Sequence, residues 1–587
     1  MNPTRIFEIL DHQLKNNPLE CCLSTKKNGL WINKSTLEFY EMVNQITFAL
    51  LKLGVKPNEK IALISSTNRT EWSVVDMGIL QLGAITVPLY PNISSNDYEF
   101  ILNHSESTYC FVSDEEIYLK LASIKKNVKG LKGVYSFDKI SGCKNWLNLI
   151  ELGNKNQDQH KLNKYRSNIS DSDVATIIYT SGTTGIPKGV MLTHKNIVSN
   201  VISASKKFPF KKKQIALSFL PLCHIFERTF VYGYMYNGIS VNFAESLDTI
   251  SENLMEVKPN FMTAVPRLLE KVYEKIYNKG NEFSGLKKKI FFWSIKVALK
   301  FEPYNNNLIY LIKHWIAKKL VLSKWKNALG GKLELICSGS APLQPRLARV
   351  FSAAGITIAE AYGLTETSPA ISINELKNKC LKIGTVGKPI ENVEIKIAND
   401  GEILCKGPNV MKGYYKDPKL TKKVMSGGFF HTGDIGLIDN DGFLKVTDRK
   451  KQIFKTSGGK YIAPQVIENY LKQSNLIEQI IVIGEGKKMP AALIQPNFDQ
   501  ARLWMKQNSI SYGKNLEDIS KNLKLIEKIT IEIRTCDKNF GSWERVKAIK
   551  LTPDIWSIEG GHLTPTMKVK RKAVISKYQF LINEIYN

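Results

Sequence analysis

The sequence has few cysteines and no long hydrophobic run, and both absences limit what the protein can be. Nine cysteines occur in 587 residues, and no Cys-x-x-Cys pair is present. This pattern argues against a disulfide framework or a zinc ribbon and favours a reducing cytoplasm. Because no run of 18 apolar residues occurs and the N-terminal segment contains acidic residues, we expect neither a membrane-spanning helix nor a secretory signal.

Acidic residues are scarce relative to basic ones. The chain has 82 Lys and Arg against 54 Asp and Glu, a net charge of +28. The lysines are scattered and not gathered in tails, as a biased composition rich in Lys, Asn and Ile would produce. Since no recognised nucleic-acid-binding module accompanies the charge, we expect no nucleic-acid partner. Phosphate-rich ligands would still be attracted by such a surface.

Alternating patterns predict an α/β fold. A strand-like run at 60–65 is followed by an amphipathic stretch at 72–82 and a second strand-like run at 84–89. This β-α-β order indicates a parallel or mixed sheet. Further strands are predicted at 174–179, 333–337 and 356–360.

The chain length allows two or three hydrophobic cores, and the character of the sequence changes twice near its C-terminal end. From 384 to 447, short strand-like pieces separated by Asn-Asp-Gly turns predict a β-rich part. After Asp448 the α/β pattern returns, and 461–471 has the pattern of a helix. We therefore predict an N-terminal domain at 1–447 and a small C-terminal domain at 448–587.

A loop rich in glycine and hydroxyl side chains follows the strand predicted at 174–179. It reads TSGTTGIPKGV from Thr180 to Val190. Its three glycines allow backbone N–H groups to approach an anion, and Lys188 adds a positive charge. The loop lacks the order of a Walker A motif, and the apolar residues after it predict a returning strand.

The longer segment YTSGTTGIPKGVMLTH closely resembles the signature of the adenylate-forming, or AMP-binding, superfamily, which includes acyl-CoA synthetases, luciferases and peptide-synthetase adenylation domains. The resemblance implies a large α/β domain with a β-rich part and a small mobile C-terminal domain. It also implies that the loop binds the β- and γ-phosphates of ATP through Thr180, Ser181, Gly182, Thr183, Thr184, Gly185 and Lys188. Thr184 is further expected to act in catalysis and at a magnesium ion.

Two more segments resemble parts of the family's active site. In PLCHIFER, His224 matches the histidine that lies beside the reacting carboxylate, which implies a catalytic role. Some relatives carry an aromatic gate where Arg228 stands, so the resemblance does not imply a gate at this position. The loops after 333–337 and 356–360 should lie at the carboxyl ends of strands, where ligands collect in α/β sheets.

By resemblance, these two strand-end loops form an adenine-binding slot. Its expected members are Gly339, Ser340, Ala341, Glu360, Ala361, Tyr362 and Gly363. Thr365 is expected to bond the α-phosphate. Glu366 is expected to act in catalysis and to bind Mg²⁺, which prefers carboxylate and phosphate oxygens.

The remaining motifs lie near and beyond the predicted domain boundary. Asp434 resembles the acid that binds the ribose hydroxyls, and Arg449 is expected to reach the ribose or a phosphate. Asp448 is the expected interdomain hinge. Gly458 and Gly459, in a segment resembling the long-chain acyl-CoA synthetase branch, are expected beside the pantetheine arm of coenzyme A.

The segment LTPTMKVKR near the C-terminus resembles that branch's version of the catalytic-lysine motif. It implies that Lys568 is the catalytic lysine. Many relatives have Ser-Gly-Lys where this chain has Thr-Met-Lys, and Lys570 is the alternative.

The resemblance as a whole implies a long-chain fatty-acid–CoA ligase that uses ATP, Mg²⁺ and coenzyme A. An acyl–acyl-carrier-protein synthetase or a ligase of short-chain or aryl acids would share the adenylation motifs. A catalytically silent lipid-binding scaffold would be expected to have lost Glu366 or Lys568, and both are present.

The segment 286–326 is apolar and strongly basic. It contains ten lysines and a single acid, Glu302. Amphipathic helices of this kind can lie at a membrane interface, here the inner face of the cell membrane. The alternative is an ordinary helical pair packed on the core with solvated lysines.

Overall fold

A computed structural model describes residues 2–181, 187–305, 307–377, 380–537, 540–564 and 568–587. The chain forms two compact units, one large and one small. The larger unit comprises Met1–Lys396, Leu404–Thr432 and Asp439–Leu444, and the smaller comprises Ile397–Ile403, Gly433–Ile438 and Lys445–Asn587. The predicted α/β class, with a large N-terminal part and a small C-terminal part, is therefore confirmed.

The first third of the larger unit alternates helices and strands. In chain order these are α1 (Glu8–Asn16), β1 (Leu23–Lys27), β2 (Leu30–Lys34), α2 (Thr36–Lys52), β3 (Lys60–Ile64), α3 (Thr70–Leu80), β4 (Ile85–Leu89), α4 (Ser95–Ser105), β5 (Ser107–Val112), α5 (Glu115–Ile124), β6 (Gly133–Ser136), β7 (Lys144–Asn145), α6 (Leu147–Lys155), α7 (Gln159–Asn168) and β8 (Val174–Ser181).

The same alternation continues to residue 389. The elements are β9 (Pro187–Thr193), α8 (His194–Ser205), β10 (Ile215–Ser218), α9 (Ile225–Tyr236), β11 (Ser240–Phe243), α10 (Ile250–Val257), β12 (Phe261–Ala264), α11 (Pro266–Asn281), α12 (Gly285–Ala298), α13 (Leu308–Ala317), α14 (Ser323–Ala328), β13 (Leu335–Ser338), α15 (Pro345–Ala353), β14 (Thr357–Gly363), β15 (Ala370–Ile373) and β16 (Lys388–Pro389). A π-helical turn, Lys318–Leu322, joins α13 to α14.

A third group of short strands with one helix lies between residues 394 and 449, in the part predicted to be β-rich. It comprises β17 (Glu394–Ile397), β18 (Glu402–Lys406), β19 (Gly413–Tyr414), α16 (Pro418–Val424), β20 (Met425–Ser426), β21 (Phe429–Ile438) and β22 (Leu444–Arg449). The division between the two units falls within this segment at several points, so it is not a single cut in the sequence.

Two large sheets organise the larger unit. One has nine strands in the order β16-β15-β14-β13-β12-β10-β11-β1-β2, and the other has eight in the order β19-β9-β8-β4-β3-β5-β6-β7. The inner strands pair in parallel, whereas β8 and β9 pair antiparallel. The predicted returning strand after the phosphate loop is thus β9.

Strand β3 shows why these runs form buried strands. Successive side chains of a strand point to opposite faces. Ile61 and Leu63 join a core that also includes residues of the nine-stranded sheet, while Ala62 and Ile64 join a second core on the other face. Both faces of β3 are covered, which explains why its sequence is continuously apolar.

The smaller unit continues after β22 with strands and helices of its own. These are β23 (Phe454–Lys455), β24 (Tyr461–Ile462), α17 (Pro464–Leu471), β25 (Ile477–Ile483), β26 (Ala491–Pro496), α18 (Phe498–Gln507), α19 (Leu516–Ser520), α20 (Leu523–Cys536), β27 (Ala548–Leu551), α21 (Arg571–Lys577) and α22 (Gln579–Tyr586). Strands β25, β26 and β27 form a three-stranded sheet with a hydrophobic core on each face.

The helix predicted at 461–471 is shorter than expected. Tyr461 and Ile462 pair with Lys455 and Phe454 in a hairpin, and the helix begins at Pro464. A proline is favourable in the first helical turn because its missing N–H would have no intrahelical partner there.

No helix in the described ranges combines the length and the apolar character needed to cross a membrane.

Candidate active site

The antiparallel pair β8 and β9 holds the two ends of the predicted phosphate loop. Thr180 pairs with Lys188, and Ser181 pairs with Pro187. Gly182, Thr183, Thr184 and Gly185 lie outside the described residues, so their roles stay predictions. The pairing brings Thr180 and Lys188 together at the base of the loop.

His224 lies immediately before helix α9, half-buried at its N-terminus. The backbone N–H of Phe226 donates to its Nδ1 at 3.2 Å. Because Nδ1 accepts a hydrogen bond here, a neutral ring carries its proton on Nε2. The cap therefore orients the imidazole with a donor at Nε2, as stabilising a developing acyl phosphate would require.

The ring of Phe226 closes over the start of the Ser338–Ala341 loop. A Cβ at Gly339 would lie 2.9 Å from this ring, so a larger residue there would require the ring or the loop to shift. Ser340, next in the chain, has a left-handed backbone with φ of 69°, and Ala341 is exposed. Helix α9 and the loop after β13 thus meet, and His224 lies near the expected adenine slot.

Glu360, on β14, is buried and accepts a hydrogen bond from the backbone N–H of Gly384 at 3.4 Å. Burial raises the pKa of this carboxyl to about 8. At neutral pH the group is therefore protonated and can donate as well as accept. A neutral acid of this kind suits the edge of an uncharged base better than it suits a phosphate.

The end of β14 turns sharply at Gly363. Ala361 and Tyr362 pair with β15, and a bulge follows between Tyr362 and Gly363. A Cβ at Gly363 would lie 1.8 Å from the carbonyl oxygen of Pro369, so no other residue fits without a backbone shift. The turn leads directly into a short 3₁₀ helix, Thr365–Thr367, that carries the expected phosphate and metal residues.

Glu366 is joined to the phosphate-loop strand by a residue that the sequence motifs did not indicate. The hydroxyl of Tyr414 donates to its Oε1 at 2.9 Å, and the ammonium of Lys188 lies 5.8 Å from the centre of the Tyr414 ring. Tyr414 reaches this position because β19 pairs with β9. Burial and the neighbouring carboxylate raise the pKa of Tyr414, which keeps its hydroxyl a donor.

The surroundings of Glu366 fit a magnesium ion that is also bound by phosphates. No group of three His, Cys, Asp or Glu side chains forms a metal cluster in the ranges that the structure describes. Mg²⁺ is commonly held by one or two carboxylates together with substrate phosphate oxygens. One carboxylate from the protein, that of Glu366 beside the strand ends at Thr180 and Lys188, is therefore enough to bind the ion together with the phosphates.

Arg228 is fully buried and does not form a gate. Its guanidinium makes an ion pair with Asp76 and donates to the hydroxyl of Thr176 at 2.9 Å and to that of Tyr232 at 2.7 Å. Thr176 belongs to β8, four residues before Thr180. The side chain thus connects the helix that follows His224 with the strand that leads into the phosphate loop.

In the smaller unit, Asp434, Arg449 and Lys568 come together. Arg449 Nε lies 3.0 Å from Asp434 Oδ1, and Asp434 is buried. The pKa of the Lys568 ammonium is lowered to about 8 by desolvation and, secondarily, by Arg449, while Asp434 opposes the shift. The backbone N–H of Lys568 donates to the hydroxyl of Thr564.

The expected hinge and coenzyme A residues also lie in the smaller unit. Asp448 is buried and accepts hydrogen bonds from the backbone N–H groups of Arg449 and Gln465. Burial raises its pKa to about 6. Gly458 and Gly459 form the exposed tip of the β23–β24 hairpin. The hinge at Asp448 stays a prediction.

A model of the AMP-binding enzyme family matches residues 10–415, and a model of the AMP-binding enzyme C-terminal domain matches 451–587. The chain belongs to the AMP-binding enzyme family. It is 34% identical over 567 residues to long-chain-fatty-acid–CoA ligase FadD15 of Mycobacterium bovis, covering 95% of this chain and 93% of that protein.

Other relatives and solved structures are also similar over almost their full length. The chain is 31% identical over 618 residues to long chain acyl-CoA synthetase 4 of Arabidopsis thaliana, covering 99% of this chain and 91% of that one. Its fold matches the anthranilate CoA ligase AuaEII in complex with anthranoyl-AMP with a TM-score of 0.73 and 20% identity, covering 98% and 97% of the two chains. It also matches the Bacillus subtilis O-succinylbenzoate coenzyme A synthetase in complex with ATP and magnesium, with a TM-score of 0.67, 19% identity and coverage of 96% and 98%.

Proposed function

We propose that this AMP-binding enzyme activates a long-chain fatty acid with ATP and transfers the acyl group to coenzyme A. The similarity to long-chain-fatty-acid–CoA ligases along nearly the whole chain carries the proposal. A carboxylate is a poor acyl donor, and its adenylate has AMP as a good leaving group. The first step forms a bond from a carboxylate oxygen to the α-phosphorus and releases pyrophosphate. In the second step the thiol sulfur bonds to the acyl carbon, its proton leaves, and AMP departs.

The residues of the larger unit are proposed to position ATP and the acid. Lys188 and the hydroxyls of the 180–184 loop would bind the outer phosphates, and Thr365 the α-phosphate. Glu366, held by Tyr414, would bind Mg²⁺, which supplies positive charge to the phosphate oxygens when present. His224 would donate from Nε2 to the reacting carboxylate. These contacts act by orientation and by neutralising charge, which phosphoryl-type transfers chiefly require.

The residues of the smaller unit are proposed to serve both half-reactions. Asp434 would accept hydrogen bonds from the ribose hydroxyls, Arg449 would reach the ribose or a phosphate, and Lys568 would stabilise the adenylation transition state. The small domain would then rotate about Asp448 and bring Gly458 and Gly459 beside the pantetheine arm. Such alternation separates two reactions that need different groups at one site.

The identity of the thiol acceptor is tested by an assay with two acceptors. Purified protein is given ATP, magnesium and a long-chain fatty acid, with either coenzyme A or acyl carrier protein. The proposal predicts rapid formation of acyl-CoA and AMP and little acylated carrier protein. Transfer to the carrier protein alone would support the alternative ligase, and acid binding without AMP release would support a lipid-binding scaffold.

We also propose that the protein works in the cytoplasm and contacts a membrane through 286–326. All nine cysteines are free thiols, in keeping with a reducing compartment. Ala317 is the only buried residue of α13, while Ile309, Ile312 and Trp315 are all more than 60% exposed. His314 and Tyr310, on the same helix, are half-buried, and His314 Nε2 lies 2.8 Å from the carbonyl oxygen of Ala353.

Helix α13 is therefore packed on one side and apolar on the exposed side. Lysines flank this side, and Lys319 lies 5.3 Å from the Trp315 ring. An apolar surface bordered by lysines fits the interface of a bilayer that contains anionic lipids.

Vesicle flotation tests this membrane proposal. The wild-type chain should float with vesicles that contain anionic phospholipid and much less with neutral ones. The double variant Ile312→Glu, Trp315→Glu should lose this binding, while Leu523→Glu, at an exposed leucine of α20, should keep it. Equal flotation of the two variants would contradict the proposal.

A further inference from the structure

The backbone segments on the two sides of Lys568 are joined by a short ladder of hydrogen bonds. The N–H of Lys570 donates to the carbonyl of His562 at 2.8 Å, and the N–H of Thr564 donates to the carbonyl of Lys568 at 2.8 Å. An antiparallel bridge lies between these two bonds. His562 and Lys570 are therefore the outermost pair of the ladder, so a displacement of His562 would also displace the backbone of Lys568.

The His562 ring belongs to a cluster of three aromatic rings. Its centroid lies 6.4 Å from that of Trp556 and 6.1 Å from that of Tyr578, and the latter two centroids lie 6.3 Å apart. The interplanar angles are 17°, 13° and 25°, so the rings are nearly parallel. All three residues are buried, and Trp556 and Tyr578 belong to the core on one face of the β25–β26–β27 sheet. The cluster thus fixes the plane and the position of the imidazole.

Both nitrogens of the His562 ring face hydrogen-bond donors. Nε2 lies 3.0 Å from Nζ of Lys577, which can only donate, and Nδ1 lies 3.4 Å from the backbone nitrogen of Ser557. A neutral imidazole has one nitrogen that can accept, and the closer, charged donor is Lys577. Nε2 therefore accepts from the ammonium, which assigns the ring proton to Nδ1. A second proton on the ring would point from Nε2 directly at the ammonium.

The titratable groups around the His562 ring favour its neutral form. Lys577 makes an ion pair with Asp554 at 2.9 Å, and the hydroxyl of Tyr578 donates to the same carboxylate at 2.8 Å. Desolvation and, secondarily, Lys577 lower the pKa of His562, while Asp554 opposes the shift. The imidazole is therefore neutral at pH 7, and protonation at lower pH would place a second cation beside Lys577.

We propose that His562 is a positioning residue for Lys568 in adenylate formation. The ring cluster fixes His562, and the ladder of hydrogen bonds transmits this position to the backbone of Lys568. A cation stabilises developing charge only when it is held at the right place, and a small displacement costs much of the rate. The inference rests on the proposed function, in which Lys568 serves adenylation and not the transfer to coenzyme A.

The two half-reactions separate positioning from general stability. His562→Ala removes the ring that fixes the ladder, so it should lower acid-dependent ATP–pyrophosphate exchange by about tenfold or more. Formation of acyl-CoA from preformed acyl-adenylate does not use Lys568 and should stay close to wild type. Ile582→Ala is the matched control, because Ile582 is a buried residue of α22 in the same core. This control should not lower exchange more than it lowers transfer.

The pH dependence tests the requirement for a neutral ring. His562→Phe keeps a flat ring in the cluster but cannot be protonated, and it should retain most of the exchange activity at neutral pH. The ratio of wild-type exchange to His562→Phe exchange should fall as the pH is lowered from about 7 to about 5. Only the wild type gains a charge at this position, and groups present in both proteins, such as His224 and Asp448, cancel in the ratio.

Three results would overturn the proposal. Equal losses in the two half-reactions of His562→Ala would assign the residue to folding, and unchanged exchange would leave it without a positioning role. A ratio that stays constant with pH would show that the neutral ring is not required. Failure of the proposed function is a separate result, because the wild-type protein would then show no acid-dependent exchange at all.

Discussion

Lys568 is expected to act as a cation, and its pKa of about 8 makes that charge sensitive to pH near neutrality. The Lys568 amine carries a positive charge below its pKa, and this charge is lost as the pH rises through the pKa. Acid-dependent ATP–pyrophosphate exchange should therefore decline as the pH rises through about 8. Because arginine stays protonated, Lys568→Arg should lose this decline while keeping some activity. The test is the pH profile of exchange for the wild type and for the arginine variant. An identical decline in the arginine variant would contradict the role of the Lys568 charge.

Alanine substitutions decide which of two lysines is catalytic. Lys568→Ala should lower exchange by on the order of 10²–10³, as the loss of one contact to developing charge typically does. Lys570→Ala should remain near wild type, since Lys570 is exposed just before α21. The opposite result would show that Lys570, two residues further along the chain, is the catalytic lysine.

Tyr414 is predicted to hold Glu366 for the metal ion. Tyr414→Phe removes one hydrogen bond to a carboxylate, a contact worth about 1.5–3 kcal/mol. The magnesium concentration that gives half-maximal exchange should rise about tenfold or more. Tyr415→Phe is the matched control, because the neighbouring tyrosine bonds to Glu106 and not to Glu366. Equal magnesium dependence in the two variants would contradict the role.

At the scale of the elements, the buried pair of Arg228 and Asp76 joins α9, α3 and β8. Asp76→Asn leaves a buried guanidinium without its carboxylate, which typically costs about 3–5 kcal/mol. The denaturation midpoint in urea should fall clearly. Lys521→Ala, which removes an exposed pair with Glu517, should change stability by about 0–1 kcal/mol. Equal midpoints for the two variants would show that the buried pair does not hold these elements together.

Strands and turns were easier to predict from the sequence than partnerships between distant residues. The strands at 60–64 and 85–89 follow from continuous apolar runs, and β9 follows from its position after the loop. The sequence motifs do not indicate Tyr414 or Asp76, because only the packing of sheets and helices brings their partners, Glu366 and Arg228, close to them. The sequence predicts Tyr461 as part of a helix, because a strand of two residues is too short to show an alternating pattern, and only the structure reveals its pairing with Lys455.

At the scale of the whole molecule, the hinge proposal predicts unequal effects on the two half-reactions. Asp448→Pro restricts the backbone at the expected pivot and removes the acceptor for the Arg449 and Gln465 N–H groups. Thioester formation should fall much more than pyrophosphate exchange. Comparable losses in both assays would assign Asp448 to folding.

The most direct test of the central claim is ATP–pyrophosphate exchange with saturated fatty acids of increasing chain length. Exchange reports the adenylate alone, independently of any thiol. We predict exchange that depends on added acid and is strongest with long-chain acids. Exchange that is absent with every acid, or strongest with short-chain or aryl acids, would contradict the account.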